Sequence, residues 1–247
     1  MSKVGKVALV TGAKQGLGQA FARALAGEGA TVVALDRDDA PEFADELQQL
    51  SGTRALFLRA DLASEIEVEA AASRILEEFG RCDIVVNNAG INFEKPFIEL
   101  SLDDWRRVMT VNVESMFLVC QALSGSMISN GYGRIVNIAS DTLGRVNTGF
   151  VHYIASKGAV VGFTRGLAND LGAHGITVNC LAPGFTRTPR TEMIPAEYFA
   201  HIVEGQVIKR TGLPEDLVGA MSFLTSDASA FMTGQTLMVN GGQLRSI

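Results

Sequence analysis

The sequence predicts an α/β fold, a single doubly wound domain in which a seven-stranded parallel sheet carries helices on both faces. Three observations carry the prediction. Short apolar, β-branched runs alternate with longer amphipathic segments along all 247 residues, the pattern of parallel strands joined by helices. The strand-like runs are apolar throughout, as in Ile84-Val85-Val86, so both sheet faces need covering, and right-handed crossovers supply that cover. A hydrophobic content of 47%, with no Pro/Ser-rich or charged divider, predicts one core and one domain over 1–247.

Taken in order, strands are expected at 6–11, 31–36, 54–60, 83–87, 133–139, 175–181 and 236–240. Helical patterns fall between them at 17–28, 40–50, 64–79, 101–129, 151–173 and 214–226. The stretch 184–212 is irregular apart from a short helical pattern at Glu197 to Glu204, and reads as a lid over whatever the sheet binds. A mobile surface excursion is the other reading of that stretch.

Several function classes are disfavoured by composition. A net charge of −6, from 21 basic and 27 acidic residues, argues against a nucleic-acid or anionic-membrane binder, which needs a concentrated basic face. Cys82, Cys120 and Cys180 are widely spaced without a Cys-x-x-Cys or nearby His pair, so neither zinc nor a disulfide framework is indicated and a reducing cytoplasm is expected. The short start Met1 to Lys6 leaves no room for a signal peptide, and no apolar run is expected to reach the ~20 residues of a membrane span.

Behind the first strand comes Thr11-Gly12-Ala13-Lys14-Gln15-Gly16-Leu17-Gly18, then a helix opening. Glycines there allow a tight turn and close approach of a pyrophosphate, and the helix N-terminus offers amide donors. Asp36 ends the second strand at the spacing of a carboxylate that accepts hydrogen bonds from an adenosine ribose. Its charge would repel a 2′-phosphate, which favours NAD over NADP, while Lys14 and Arg37 could pair with that phosphate. A solvated strand end and ordinary surface cations are the plain alternatives.

Tyr153 and Lys157 stand four apart on one helix face, so the ammonium could lower the phenol's pKa and make the pair an acid/base. Alone this spacing is common in helices. Together with Asn87-Asn88-Ala89-Gly90, Asn112, Ser140, Pro183-Gly184 with Thr188, and Gly234 to Gly242, it resembles the classical short-chain dehydrogenase/reductases from Lys6 to Gly242.

The resemblance implies a Rossmann-type fold and hydride transfer between a nicotinamide cofactor and a secondary alcohol or ketone. It implies that Tyr153 exchanges a proton with the substrate oxygen, that Ser140 hydrogen-bonds that oxygen, and that Lys157 also binds the nicotinamide ribose. Asn112 would hold a water of a proton relay. Asp61 and Leu62 would contact adenine, Asn88, Ala89 and Gly90 pass the adenosine ribose, and Ile138 packs near the nicotinamide. Pro183, Gly184, Thr186 and Thr188 would orient the carboxamide, and Gly12, Lys14, Gln15, Gly16, Leu17 and Gly18 would cradle the phosphates. Without it, Ser140 reads as a strand-end cap, Asn112 as a helix kink or buried amide, and Asn87 as a turn residue.

Substrate contacts are expected from Asp141 to His152, from Ile91 to Lys95, and from the lid. Thr142, Leu143, Val146, Phe150, Phe93 and Met193 suggest an apolar pocket, whereas Arg145, Arg187 and Arg190 could meet a carboxylate or phosphate, or simply face solvent. His152 is expected at a surface or interface. Many relatives in the family are 3-oxoacyl-acyl-carrier-protein reductases. Against that reading stand Asp36 and His174, and the runs Gly80 to Asp83 and Gly162 to Arg165 with Arg245 are more similar to NAD-dependent dehydrogenases of small cyclic or aromatic alcohols. A silent nucleotide-binding scaffold is the reading from another class. Ala155, Ala159, Val160, Phe163 and Leu167 could join subunits into a homotetramer, as in similar enzymes, or face the sheet.

Overall fold

The computed structural model describes residues 1–244; Arg245 lies outside the described residues. Seven parallel strands form one sheet: β1 Val7–Thr11, β2 Thr31–Asp36, β3 Leu56–Arg59, β4 Ile84–Asn87, β5 Gly133–Ile138, β6 Ile176–Pro183 and β7 Thr236–Val239. Their order across the sheet is β3-β2-β1-β4-β5-β6-β7. Every pairing is parallel, with Val10 of β1 beside Ala34 on one side and Val86 on the other. The order reverses between β1 and β4, the point where a crevice must open at the strands' carboxyl ends.

Alternate side chains of each strand enter separate cores. Leu9, Val33, Leu35 and Val85 join one apolar cluster, while Ala8, Val10, Val32, Ala34, Ile84 and Val86 join the other. The first is covered by α3 Glu65–Phe79, α5 Ser115–Asn130 and α6 Val151–Leu171, the second by α1 Gly16–Gly27, α2 Glu42–Ser51 and α8 Glu215–Leu224. Each fully buried aliphatic side chain contributes about 1.5–3 kcal/mol, which is what holds the helices on both faces of the sheet.

The helix expected over 101–129 is broken. Residues α4 Leu102–Met109 and α5 flank a π-helical turn at Thr110–Glu114 whose buried member is Asn112. Alternation of apolar residues cannot reveal a single inserted residue, but the insertion sets the direction of Asn112. By length and composition the run Leu102–Asn130 would also suffice for a membrane span, contrary to expectation. Its Val108, Met116, Val119, Leu123 and Met127 are buried in the protein, as a core helix requires.

The stretch 184–212 leaves β6 and closes on itself. Thr186 bridges to Gly212, and the Arg187 amide donates to the Gly212 carbonyl at 2.9 Å. Between these ends lies α7 Ala196–Gly205, whose Phe199 packs on Phe185 while Arg187 stacks on the Phe199 ring at 4.4 Å. Val160 is fully buried in the sheet's core cluster, and Phe163 and Leu167 pack partly against it.

Candidate active site

A crevice of about 590 Å³ runs along the carboxyl ends of the strands. Asp36 and Asp61 line one end, and Ser140, Tyr153 and Lys157 the other, with Gly12, Gly16, Asn88 and Gly90 between. At Gly12 the backbone is left-handed (φ +63°), and a Cβ would sit 2.9 Å from Ala89 Cα. A Cβ on Gly18 would collide with the Gly12 carbonyl oxygen, so the loop folds onto the first turn of α1 only with glycine there.

That loop is braced from β4. The Thr11 hydroxyl accepts from the amides of Asn88 and Ala89, each at 3.0 Å, and Asn88 Nδ2 donates to the carbonyls of Thr11 and Gly12 at 2.9 and 3.1 Å. Below, Asn87 Nδ2 donates to Asn137 Oδ1 and Asn137 Nδ2 to Thr164, each at 2.9 Å, so Asn87 is a buried cross-strand tie and no turn residue. The Asp36 carboxylate accepts from the backbone amide of Lys14 at 3.1 Å and of Asp38 at 3.2 Å.

The residues fit a dinucleotide. A narrow glycine cradle at a helix N-terminus suits a pyrophosphate, and the carboxylates of Asp36 and Asp61 suit ribose hydroxyls or an adenine edge. Gln15, Leu17, Arg37, Leu62, Ala89, Ile138, Pro183, Gly184, Thr186 and Thr188 also line the crevice. Lys14 and Gly18 do not: Lys14 contributes a backbone amide to Asp36, and Gly18 is consumed in loop packing. Arg37 is exposed and lies 3.6 Å from Asp38.

At the far end Lys157 is buried and its Nζ donates to the Ile138 carbonyl at 2.7 Å. Burial lowers its pKa to about 8, partly opposed by the Cys180 thiol. The Tyr153 phenol is raised above its ordinary value by burial, opposed first by the Ser140 hydroxyl and then by the Arg190 charge. This corrects the expectation that the ammonium makes Tyr153 acidic. Desolvation outweighs every nearby charge, and Lys157 directs one of its three ammonium N–H groups at a carbonyl.

Ser140 lines the crevice and also caps a short 3₁₀ turn, accepting from the Thr142 amide at 3.2 Å and the Thr142 hydroxyl at 2.9 Å. Asn112 lies just behind the crevice wall. Its amide is committed, accepting from the Ile91 amide at 2.7 Å and donating to the Ile91 carbonyl and Ser156 hydroxyl, each at 2.9 Å. The buried-amide reading therefore holds for its side chain, beside Gly90 and the Lys157 ammonium.

The substrate end is mixed, with Ile91, Phe185 and Pro189 lining the crevice beside polar residues, while most of the apolar side chains expected there lie elsewhere. Leu143, Val146 and Met193 are exposed, Phe93 packs on His152 at 4.5 Å, and Phe150 meets the Tyr153 ring edge-on at 6.5 Å. Of the set expected to form an apolar pocket only Thr142 lines the crevice, joined by Asn92, Asp141, Arg145 and Arg190. His152 is fully buried, not superficial, and burial lowers its pKa. Arg107 of α4 and Val111 of the π turn also line the crevice and were missed. Among the described residues no His/Cys/Asp/Glu cluster could hold a metal ion.

Comparison with known proteins decides the family. A family model described as enoyl-(acyl carrier protein) reductase matches residues 12–243. The chain belongs to the classical short-chain dehydrogenase/reductases. A 3-oxoacyl-acyl-carrier-protein reductase of Synechocystis sp. is 38% identical over 243 residues, 97% of each chain. Gluconate 5-dehydrogenase of Gluconobacter oxydans is 41% identical, covering 96% of this chain and 94% of that one. A solved structure from Beutenbergia cavernae, described as an NAD(P)-dependent gluconate 5-dehydrogenase with bound NADP at low occupancy, superposes with a TM-score of 0.93. It is 41% identical and 99% of each chain is covered. As a short-chain dehydrogenase/reductase, the chain is an oxidoreductase of CH–OH or keto groups with a nicotinamide cofactor.

Proposed function

We propose that this dehydrogenase/reductase moves a hydride between NAD(H) and a small secondary alcohol or ketone, with a polyol-like substrate favoured over a cyclic or aromatic one. One observation carries the reading: Ser140, Tyr153 and Lys157 meet at the end of the crevice opposite Asp36. Asn92, Thr142 and Arg190 in the lining and the 41% identity to gluconate 5-dehydrogenase support the polyol class.

The bound nicotinamide supplies the hydride chemistry. The chain supplies a proton and fixed dipoles. A buried phenol with a raised pKa stays protonated at neutral pH, so Tyr153 is poised to donate to a ketone oxygen as it gains negative charge. The Ser140 hydroxyl donates a second hydrogen bond to that oxygen and stabilises the same charge. Lys157 holds a positive charge behind the phenol and offers ammonium protons to a ribose, with Asn112 fixing the wall between them. In alcohol oxidation the phenolate takes the hydroxyl proton in the reverse sense.

Asp36 supports NAD over NADP, because a 2′-phosphate would meet its carboxylate and that of Asp38. A 3-oxoacyl-thioester reductase using NADPH is the second reading, favoured by the 38% identity to the Synechocystis enzyme. The three free, buried cysteines suit a reducing cytoplasm, and exposed Phe117, Ile128 and Val151 on α5 and α6 suit a homotetramer. Appearance of reduced nicotinamide with NAD and a panel of polyols is the test. NAD should exceed NADP in kcat/KM by about tenfold or more, and Asp36→Ala should narrow that ratio to within about threefold. Activity confined to NADPH and acyl thioesters would replace this reading with the second.

A further inference from the structure

Arg190 reaches back from the lid across the substrate end of the crevice. Its Nη1 donates to the Gly90 carbonyl at 2.8 Å and its Nη2 to the Asn92 carbonyl at 3.0 Å, so the guanidinium is held in place by backbone alone. No carboxylate pairs with it among the described residues. A second arginine lining the crevice, Arg145, is already neutralised by buried Asp141, 3.3 Å from its Nε. Burial in turn pushes the Asp141 carboxyl upward, against the pull of Arg145. The charges facing the Tyr153 hydroxyl are thus Lys157, Arg190 and one self-cancelling pair, with an excess of positive charge.

A guanidinium has five N–H donors, and two are spent on carbonyls. The remaining fork matches the two oxygens of a carboxylate, a pairing stronger than any neutral hydrogen bond. Arg190 is solvent-exposed, so a neutral alcohol or thioester would leave its charge to backbone carbonyls and water, whereas a carboxylate would pair with it directly. We propose that Arg190 receives a carboxylate carried by the substrate, which makes the crevice selective for small hydroxy and keto acids over neutral alcohols. The inference rests on the crevice being the alcohol and ketone site, and it adds the charge class that the reaction type leaves open. Arg190 is then a specificity residue, since the reacting oxygen is served by Tyr153 and Ser140.

The test is calorimetric titration of the NADH-loaded enzyme with matched pairs: D-gluconate against D-glucitol, and mandelate against the diol in which its carboxylate is a hydroxymethyl group. At least one acid should bind about tenfold or more tightly than its neutral partner. Arg190→Gln should shrink the acid-over-neutral ratio to within about threefold, and Arg190→Lys should restore part of it. Equal binding within both pairs overturns the proposal. A loss in Arg190→Gln shared by acids and neutral ligands also overturns it, and leaves Arg190 as a lid latch. Turnover is read separately: absence of hydride transfer from every alcohol would refute the proposed reaction while the binding comparison still decides the role of Arg190.

Discussion

At the scale of single residues, the acid/base pair is governed by burial more than by mutual attraction. Lys157 keeps a folded pKa of about 8 against 10.5 for an ordinary lysine. Between these values the unfolded chain holds a proton that the folded protein has released, so stability contributed by this group rises with pH across that window. The rise is at most about 1.4 kcal/mol per pH unit. Below about pH 8 the full cost of a buried ammonium is carried by the fold. Lys157→Met should therefore be more stable than the parent at pH 7, and its lead should shrink as pH climbs through about 8. Chemical unfolding of both proteins along a pH series measures this, and a lead that is constant or widens with pH contradicts it. The site keeps an unfavourable charge because the reaction needs one beside the phenol and the ribose.

Among the elements, the β1 turn and the start of β4's loop behave as one unit. Thr11 and Asn88 tie the two together through four hydrogen bonds, and Gly18 lets the first turn of α1 press on Gly12. A methyl group at Gly18 meets backbone and has nowhere to go. Gly18→Ala should therefore destabilise the protein by about 1–3 kcal/mol and weaken NADH binding, though Gly18 never lines the crevice. Denaturant unfolding with a fluorescence titration of NADH checks both, and an unchanged midpoint would show that the loop can yield. The π turn in the long helix has the same character. It directs Asn112 onto the Ile91 backbone, which fixes the loop that Arg190 also grips at Gly90 and Asn92.

For the molecule as a whole, the sheet and its helices were legible because apolar strands and amphipathic helices differ in period and length. Seven strands and the nucleotide loop followed from that alternation, and the strand ends then placed Asp36, Ser140 and Tyr153 around one crevice. What stayed hidden depends on contacts distant in sequence. Arg190 meets carbonyls about a hundred positions away, His152 is buried by Phe93 from another loop, and the direction of the Tyr153 shift follows from burial that no local spacing encodes. Leu143 turned outward within the 3₁₀ turn Asp141–Gly144, which leaves Asp141 and Thr142 at the crevice, and Val146 and Met193 lie in irregular loop, exposed. The central claim is that Tyr153 exchanges the proton while the rest of the crevice holds the dinucleotide. It is tested most directly by Tyr153→Phe, with NADH affinity and turnover measured on the same preparation. The account predicts NADH binding within about threefold of the parent and turnover reduced by about a hundredfold or more. Turnover above about a tenth of the parent's, with NADH still bound, would contradict it.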